Sequence, residues 1–165
     1  MFTDVMGTIV KTPEILKDLL VQLRAEGKRI VSTNGCFDLL HRGHVHILRE
    51  AKQQGDILIV GLNSDVSVRK NKGGSRPILP EHERAELLCS LEMVDFVYLF
   101  DEKDCVEFVR LVAPDVHAND ASYGENCIES GAVKDCGGRL HLVSKIQAPS
   151  TTNIINKIQT LPESA

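Results

Sequence analysis

Two histidines, His41 and His44, flank Arg42-Gly43 at the end of the stretch Thr33-Asn34-Gly35-Cys36-Phe37-Asp38-Leu39-Leu40. The stretch leads out of an apolar segment and into a helical one. A helix start offers unpaired backbone N–H groups and the positive end of a dipole, so it attracts phosphate. The same dipole biases a nearby imidazole toward its neutral form, which can still donate one hydrogen bond to a phosphoryl oxygen. Gly35 and Gly43 would let the backbone come close to a ligand. Taken singly, His41, His44 and His46 read as surface polar residues. A zinc site on His-x-x-His-x-His, with Asp38 as a further ligand, is a second reading. It leaves the two glycines and the strand-to-helix position without a role.

A second cluster lies downstream. Val66–Pro80 carries Arg69, Lys70, Lys72 and Arg76 and no acidic residue. Gly73, Gly74, Pro77 and Pro80 mark it as a loop. Alone it would be a solvated basic loop; beside the histidine stretch it reads as a clamp on a polyphosphate. Ser150-Thr151-Thr152 opens the last helical segment. One hydroxyl there is a plain N-cap, and three make a second phosphate-binding helix end.

These residues need elements to hold them. Residues 13–26 form a helix with Ile15, Leu16, Leu19, Leu20 and Leu23 on one face and Gly27 as its stop. Strands are expected at 28–33, 56–62, 94–100, 115–118 and 139–143. Helices are expected at 44–54, 80–91, 103–112, 125–136 and 150–158. The run Asp56–Leu62 is nearly all apolar, as in a strand buried on both faces. The alternation predicts an α/β, doubly wound, Rossmann-like sheet of five parallel strands with helices on both faces. Such sheets bind ligands beyond their strands' C-terminal ends, so the loops 33–44, 63–76, 119–126 and 144–152 should share one cleft.

Composition sets the outer bounds. The chain has 165 residues, 42% apolar and 25% charged, with 19 Lys+Arg against 23 Asp+Glu for a net charge of -4. That suits a single domain spanning 1–165, with its core at 28–158. It disfavours a coat for nucleic acid. No apolar run approaches a membrane span, and Met1–Ile15 does not read as a signal peptide, so a cytoplasmic protein is expected. The five cysteines, Cys36, Cys89, Cys105, Cys127 and Cys136, contain no CxxC pair. Reduced thiols are expected, and their spacing gives no paired zinc ligands.

The stretch GCFDLLHRGH resembles the HxGH signature of the nucleotidyltransferase superfamily. Four blocks in order extend the likeness over about residues 28–158: TNGCFDLLHRGHVHILREAKQQGDILIVGLNSD, KGGSRPI, ERAELLCSLEMVDFVYLFDE and STTNII. Together they look like the nucleotidyltransferase domain of ADP-heptose synthases, which is often one half of a bifunctional kinase/adenylyltransferase. The resemblance implies transfer of AMP from ATP to a heptose 1-phosphate, in the making of lipopolysaccharide or other cell-surface glycan precursors. It implies His41, His44 and Lys72 as catalytic residues. Asn34, Gly35, Cys36, Phe37, Gly43, Asn63, Asp65, Arg69, Arg76, Ser150, Thr151 and Thr152 would bind the nucleotide. It puts Arg84 near the nucleotide, where the residues alone suggest a surface ion pair with Glu81 or Glu83. Asp38, Asn119, Asp120 and Tyr123 would face the acceptor. Mg²⁺ would be held mainly by the triphosphate, with no dedicated protein ligands, and members often form homodimers.

Two departures bear on the acceptor. Ala118-Asn119-Asp120-Ala121-Ser122-Tyr123 stands where the heptose enzymes read Val-Lys-Gly-Gly-Asp-Tyr. Lys145–Thr152 (KIQAPSTT) stands where cytidylyltransferases read RTxGISTT. A cytidylyltransferase for glycerol phosphate or another polyol phosphate is therefore an alternative. Readings of other classes are a nucleotide-binding module without catalysis and a histidine-rich metal hydrolase.

Overall fold

The computed structural model describes residues 7–162. The N-terminal residues 1–6, part of the stretch weighed above as a leader, lie outside the described residues, as do 163–165. Fourteen elements follow one another, and six of them are strands. These are β1 (Thr8–Val10), β2 (Ile30–Gly35), β3 (Ile57–Asn63), β4 (Phe96–Phe100), β5 (Val116–Asp120) and β6 (Arg139–Val143). The helices are α1 (Pro13–Ala25), α2 (Arg42–Lys52), α3 (Asp65–Lys72), α4 (Glu81–Cys89), α5 (Val106–Val112), α6 (Ser130–Asp135) and α7 (Thr151–Gln159), with a 3₁₀ turn at Ala121–Tyr123.

All strand pairs are parallel, in the order β1-β4-β3-β2-β5-β6. The order therefore reverses between β2 and β5. The sequence reading of five strands is corrected to six. The extra strand, Thr8-Ile9-Val10, is too short to show an alternation. It exists because its edge position pairs it with Phe96–Tyr98 of β4.

Side-chain alternation along the strands feeds two cores. Val31, Leu58, Val60, Leu62 and Val97 face α2 and α4, meeting Leu48, Ala51, Ala85 and Leu88. Ile30, Ile59 and Phe100 face α1, α5 and α6, meeting Leu16, Leu20, Phe108, Val109 and Val133. β3 is the middle of this packing, buried from Leu58 through Asn63. Gly61 lies against Phe108, and a Cβ there would sit 2.6 Å from the Phe108 ring.

Helix ends follow local chemistry. Thr12 caps α1, with Pro13 in its first turn, and Gly27 follows at φ 72°. Ile15, expected on the buried face of α1, is 53% exposed, because the apolar stripe centres on Leu16, Leu20 and Leu23. Two corrections concern length. Residues 65–72 form α3 rather than loop, because Ser64 caps the first turn and Asp65 and the basic last turn both suit the helix dipole. The helix expected at 125–136 shrinks to Ser130–Asp135.

Candidate active site

Four connections converge beyond the C-terminal ends of the strands, beside the β2/β5 reversal. They follow β2, β3, β5 and β6, all four loops singled out from the sequence contribute, and a fifth connection, after β4, adds Lys103, Asp104 and Cys105. Together they enclose a cleft of about 910 Å³.

The first connection carries the histidine pair. His41 is the N-cap of α2, and its Nδ1 accepts a hydrogen bond from the Gly43 backbone N–H at 3.1 Å. A nitrogen that accepts carries no proton, so the neutral ring has its hydrogen on Nε2. Burial lowers the His41 pKa and keeps the ring neutral. His44 stacks on His41 with ring centroids 3.7 Å apart, and Phe37 closes the other side at 5.1 Å. Burial, then the neighbouring His41, pushes the His44 pKa down to about 4. Its Nδ1 is buried without a partner, as is Oδ1 of Asn34. Buried polar atoms are otherwise almost always satisfied, so both atoms point to a ligand.

The glycines serve this ring geometry. A Cβ on Gly43 would lie 3.0 Å from the His41 ring, and one on Gly35 would lie 3.0 Å from Phe37. Both glycines also line the cleft. Phe37 adopts φ 43°, a strained value for an aromatic residue. The strain turns its ring into the core, where it is 4% exposed.

Asp38 anchors the second connection to the first. Its carboxylate accepts from Arg76 Nε at 2.5 Å, from the Ile78 N–H at 2.8 Å and from the Leu79 N–H at 2.9 Å. Burial alone would raise the Asp38 pKa, but the two amides and the guanidinium outweigh it and lower it. At 1% exposure the carboxylate holds the 76–79 loop, and Asp38 is part of the cleft lining.

Arg84 neither makes the surface ion pair that the residues alone suggest nor lines the cleft, where the resemblance puts it. It is wholly buried and donates to the carbonyls of Leu79, Cys36 and Asn63 and to the Asp65 carboxylate at 2.8 Å. It clips the ends of β2 and β3 to α4. The conspicuous charge in ERAELL was readable; the unpaired carbonyls that receive it were not.

The basic residues separate. Lys72 and Arg76 line the cleft. Lys70 turns away and donates to the Asp101 carbonyl at 2.9 Å. Arg69 and Asp65 do not line the cleft; Asp65 is held by Arg84. Their distance from it follows from α3, which sends successive side chains in different directions. Lys103 and Lys145 line the cleft instead, from segments without a phosphate-loop pattern. Asn63 lies at the β3 end and donates to Ser67 Oγ at 2.9 Å.

The far wall comes from β5, β6 and α7. Asn119 donates to Glu129, and Asp120 caps the turn by accepting from the Ser122 N–H at 2.8 Å. Tyr123 stands at the rim, 67% exposed. Ser150 is a true N-cap, accepting from the Asn153 N–H at 3.1 Å within a capping box. Thr151 donates to the Leu39 carbonyl at 3.4 Å, tying α7 to the histidine loop, and Thr152 faces the cleft. Cys36 lines the floor, where burial raises its thiol pKa. All five cysteines are free. No helix among the described residues is long and apolar enough to cross a membrane.

Residues 32–160 match the cytidylyltransferase-like family model. The chain is 44% identical over 150 residues to the bifunctional protein HldE of Pelobacter propionicus, covering 90% of this chain and 31% of that protein. It is 45% identical over 152 residues to HldE of Geotalea uraniireducens, covering 92% and 31% respectively. The chain thus spans about a third of the length of these curated relatives. Among solved structures, a lipopolysaccharide core biosynthesis protein from Thermoplasma volcanium superposes with a TM-score of 0.59 at 31% identity, covering 73% of this chain and 98% of that one. Pantoate-beta-alanine ligase from Francisella tularensis shares the fold, with a TM-score of 0.66 at 14% identity over 94% of this chain and 78% of that one.

Proposed function

This chain belongs to the cytidylyltransferase-like family, a nucleotidyltransferase fold, and from that premise we propose that it transfers AMP from ATP to D-glycero-D-manno-heptose 1-phosphate. The products are ADP-heptose and pyrophosphate. The observation that carries the reading is the pair of stacked, neutral imidazoles on the N-terminus of α2.

A phosphate oxygen of the acceptor attacks the α-phosphorus. A new P–O bond forms, the α–β bridging bond breaks, and pyrophosphate leaves with the electron pair. The nucleophile is already ionised at neutral pH, so the protein needs no general base. Its work is alignment and charge stabilisation. His41 donates from Nε2, since Nδ1 is engaged by Gly43. His44 donates beside it. The free N–H groups of the first turn of α2 add to both. Lys72 and Arg76, with Lys103 and Lys145, offset charge on the leaving pyrophosphate. The α7 N-terminus, with Thr151 and Thr152, meets the nucleotide from the far wall.

Mg²⁺ neutralises phosphate charge when it arrives on the triphosphate. The cleft fits that mode. Each of the four carboxylates on its lining already accepts a hydrogen bond: Asp38 from Arg76, Asp104 from the Val106 N–H, Asp120 from the Ser122 N–H and Glu129 from Asn119.

A second reading rests on the wall at 119–122. Asn119 is turned onto Glu129, and Asp120 onto Ser122. Neither presents the lysine of the heptose enzymes, which supports a different phosphorylated acceptor, such as a polyol phosphate taken with CTP. The test is pyrophosphate release from each nucleoside triphosphate against a panel of sugar and polyol phosphates. Release with ATP and a heptose 1-phosphate is expected. Release only with CTP and a polyol phosphate would replace the first reading with the second, and silence throughout would favour a binding module.

A further inference from the structure

Three side chains of different elements meet at the floor of the cleft. Cys105 is the N-cap of α5, His117 lies on β5, and Glu129 is the N-cap of α6. One ligand atom from each lies within 4.8 Å of the other two, and all three residues are buried. We propose that Cys105, His117 and Glu129 bind a divalent transition-metal ion of the zinc class, with its open position toward the cleft.

The histidine argues for it first. His117 is wholly buried, and its Nε2 has no hydrogen-bond partner. Its Nδ1 pairs with Ser32 Oγ at 2.7 Å. When Nδ1 carries the proton and donates to Ser32, Nε2 keeps a free lone pair aimed at the cluster. That is how a second residue fixes a metal-binding imidazole.

Distance argues next. His117 Nε2 lies 3.7 Å from Glu129 Oε1, too far for a hydrogen bond. Two ligands on one tetrahedral zinc, with arms of ~2.0–2.3 Å, sit ~3.3–3.8 Å apart. Chemistry agrees with geometry. Thiolate, imidazole and carboxylate together are a zinc-type donor set. Binding of a divalent ion releases the Cys105 thiol proton to solvent, and the ion, thiolate and carboxylate then sum to zero charge in a buried place. Cys105 and Glu129 both line the cleft, which gives an entry path. Three protein ligands with one position open is the pattern of a site accessible to water or substrate. No two of these ligands are close in sequence; the parallel crossovers assemble them.

The test of this site reads metal directly rather than nucleotidyl transfer. The purified full chain is stripped with chelator, then titrated with Zn²⁺ alone and with Co²⁺ alone. A single ion per chain is expected, with thiolate-to-cobalt charge-transfer absorption. Cys105→Ser should abolish that absorption. Ser32→Ala should weaken Co²⁺ binding by ~10–100-fold, since it only orients the imidazole. Circular dichroism checks that both variants fold; if they do not, the wild-type titration decides. Failure of the stripped chain to take up either ion would overturn the site. So would Co²⁺ binding without thiolate absorption that survives Cys105→Ser and vanishes in His44→Ala, which would place the ion on the histidine loop.

Discussion

His41 and His44 divide the labour of one helix start. His41 uses Nδ1 to cap α2, which leaves Nε2 for the phosphoryl oxygen of the proposed reaction, while the buried Nδ1 of His44 has no partner. The glycine between them is there for space. Gly43→Ala should push the His41 ring off its cap and cost ~10²-fold in turnover by misplacement, with the fold intact by circular dichroism. The low pKa of His44 also sets a pH dependence. Unfolded, the imidazole takes a proton near 6.5; folded, only at about 4. The unfolded state binds more protons between these values, so stability falls as pH drops from 6.5 toward 4. Thermal unfolding midpoints across that window should decline, and His44→Gln should flatten part of the decline. At this scale the sequence was readable in residue type but not in direction. The pattern named His41, His44 and Lys72 as site candidates, and all three line the cleft. It could not tell that Arg69 would point elsewhere, because that depends on α3 being a helix. Nor could it tell that Asp38 would spend its carboxylate on Arg76 and two amides.

Elements hold these residues through a few buried clips. Arg84 joins β2, β3 and α4 with one guanidinium that is 0% exposed. Arg84→Leu should destabilise by ~3–5 kcal/mol, because it strips partners from buried carbonyls and from Asp65. Urea unfolding measures it, and Arg84→Lys should not restore the loss, since an ammonium cannot reproduce the planar fork. At the other wall, Ser150→Ala removes the cap of α7 and should cost ~0.5–2 kcal/mol by the same measurement. On the sheet, Gly61→Ala drives a methyl into Phe108 and should cost ~1–3 kcal/mol. Most helices and strands were legible in the 2.0 and 3.6 periods of the apolar residues, but α3 was not, because its basic run and the glycines after it read as a loop. β1 was not, because three residues show no period and its pairing with β4 is tertiary. The end of α6 was legible in Gly137, while its start was not, because Cys127–Glu129 are drawn into the floor of the cleft.

Across the whole molecule, position matters more than composition. A net charge of -4 seems to disfavour anionic ligands, yet Lys72, Arg76, Lys103 and Lys145 share one cleft with two helix N-termini. The strand order reverses between β2 and β5, and the four loops picked out by the βα alternation meet beside that reversal. Topology also brings Cys105, His117 and Glu129 together, which no spacing in the sequence announces. The central claim is that paired neutral imidazoles on α2 carry nucleotidyl transfer. Pyrophosphate release from ATP with a heptose 1-phosphate, wild type against His44→Ala, tests it most directly. A loss of ~10²–10³ in turnover with the fold retained is expected. Equal rates for the two proteins would contradict the claim.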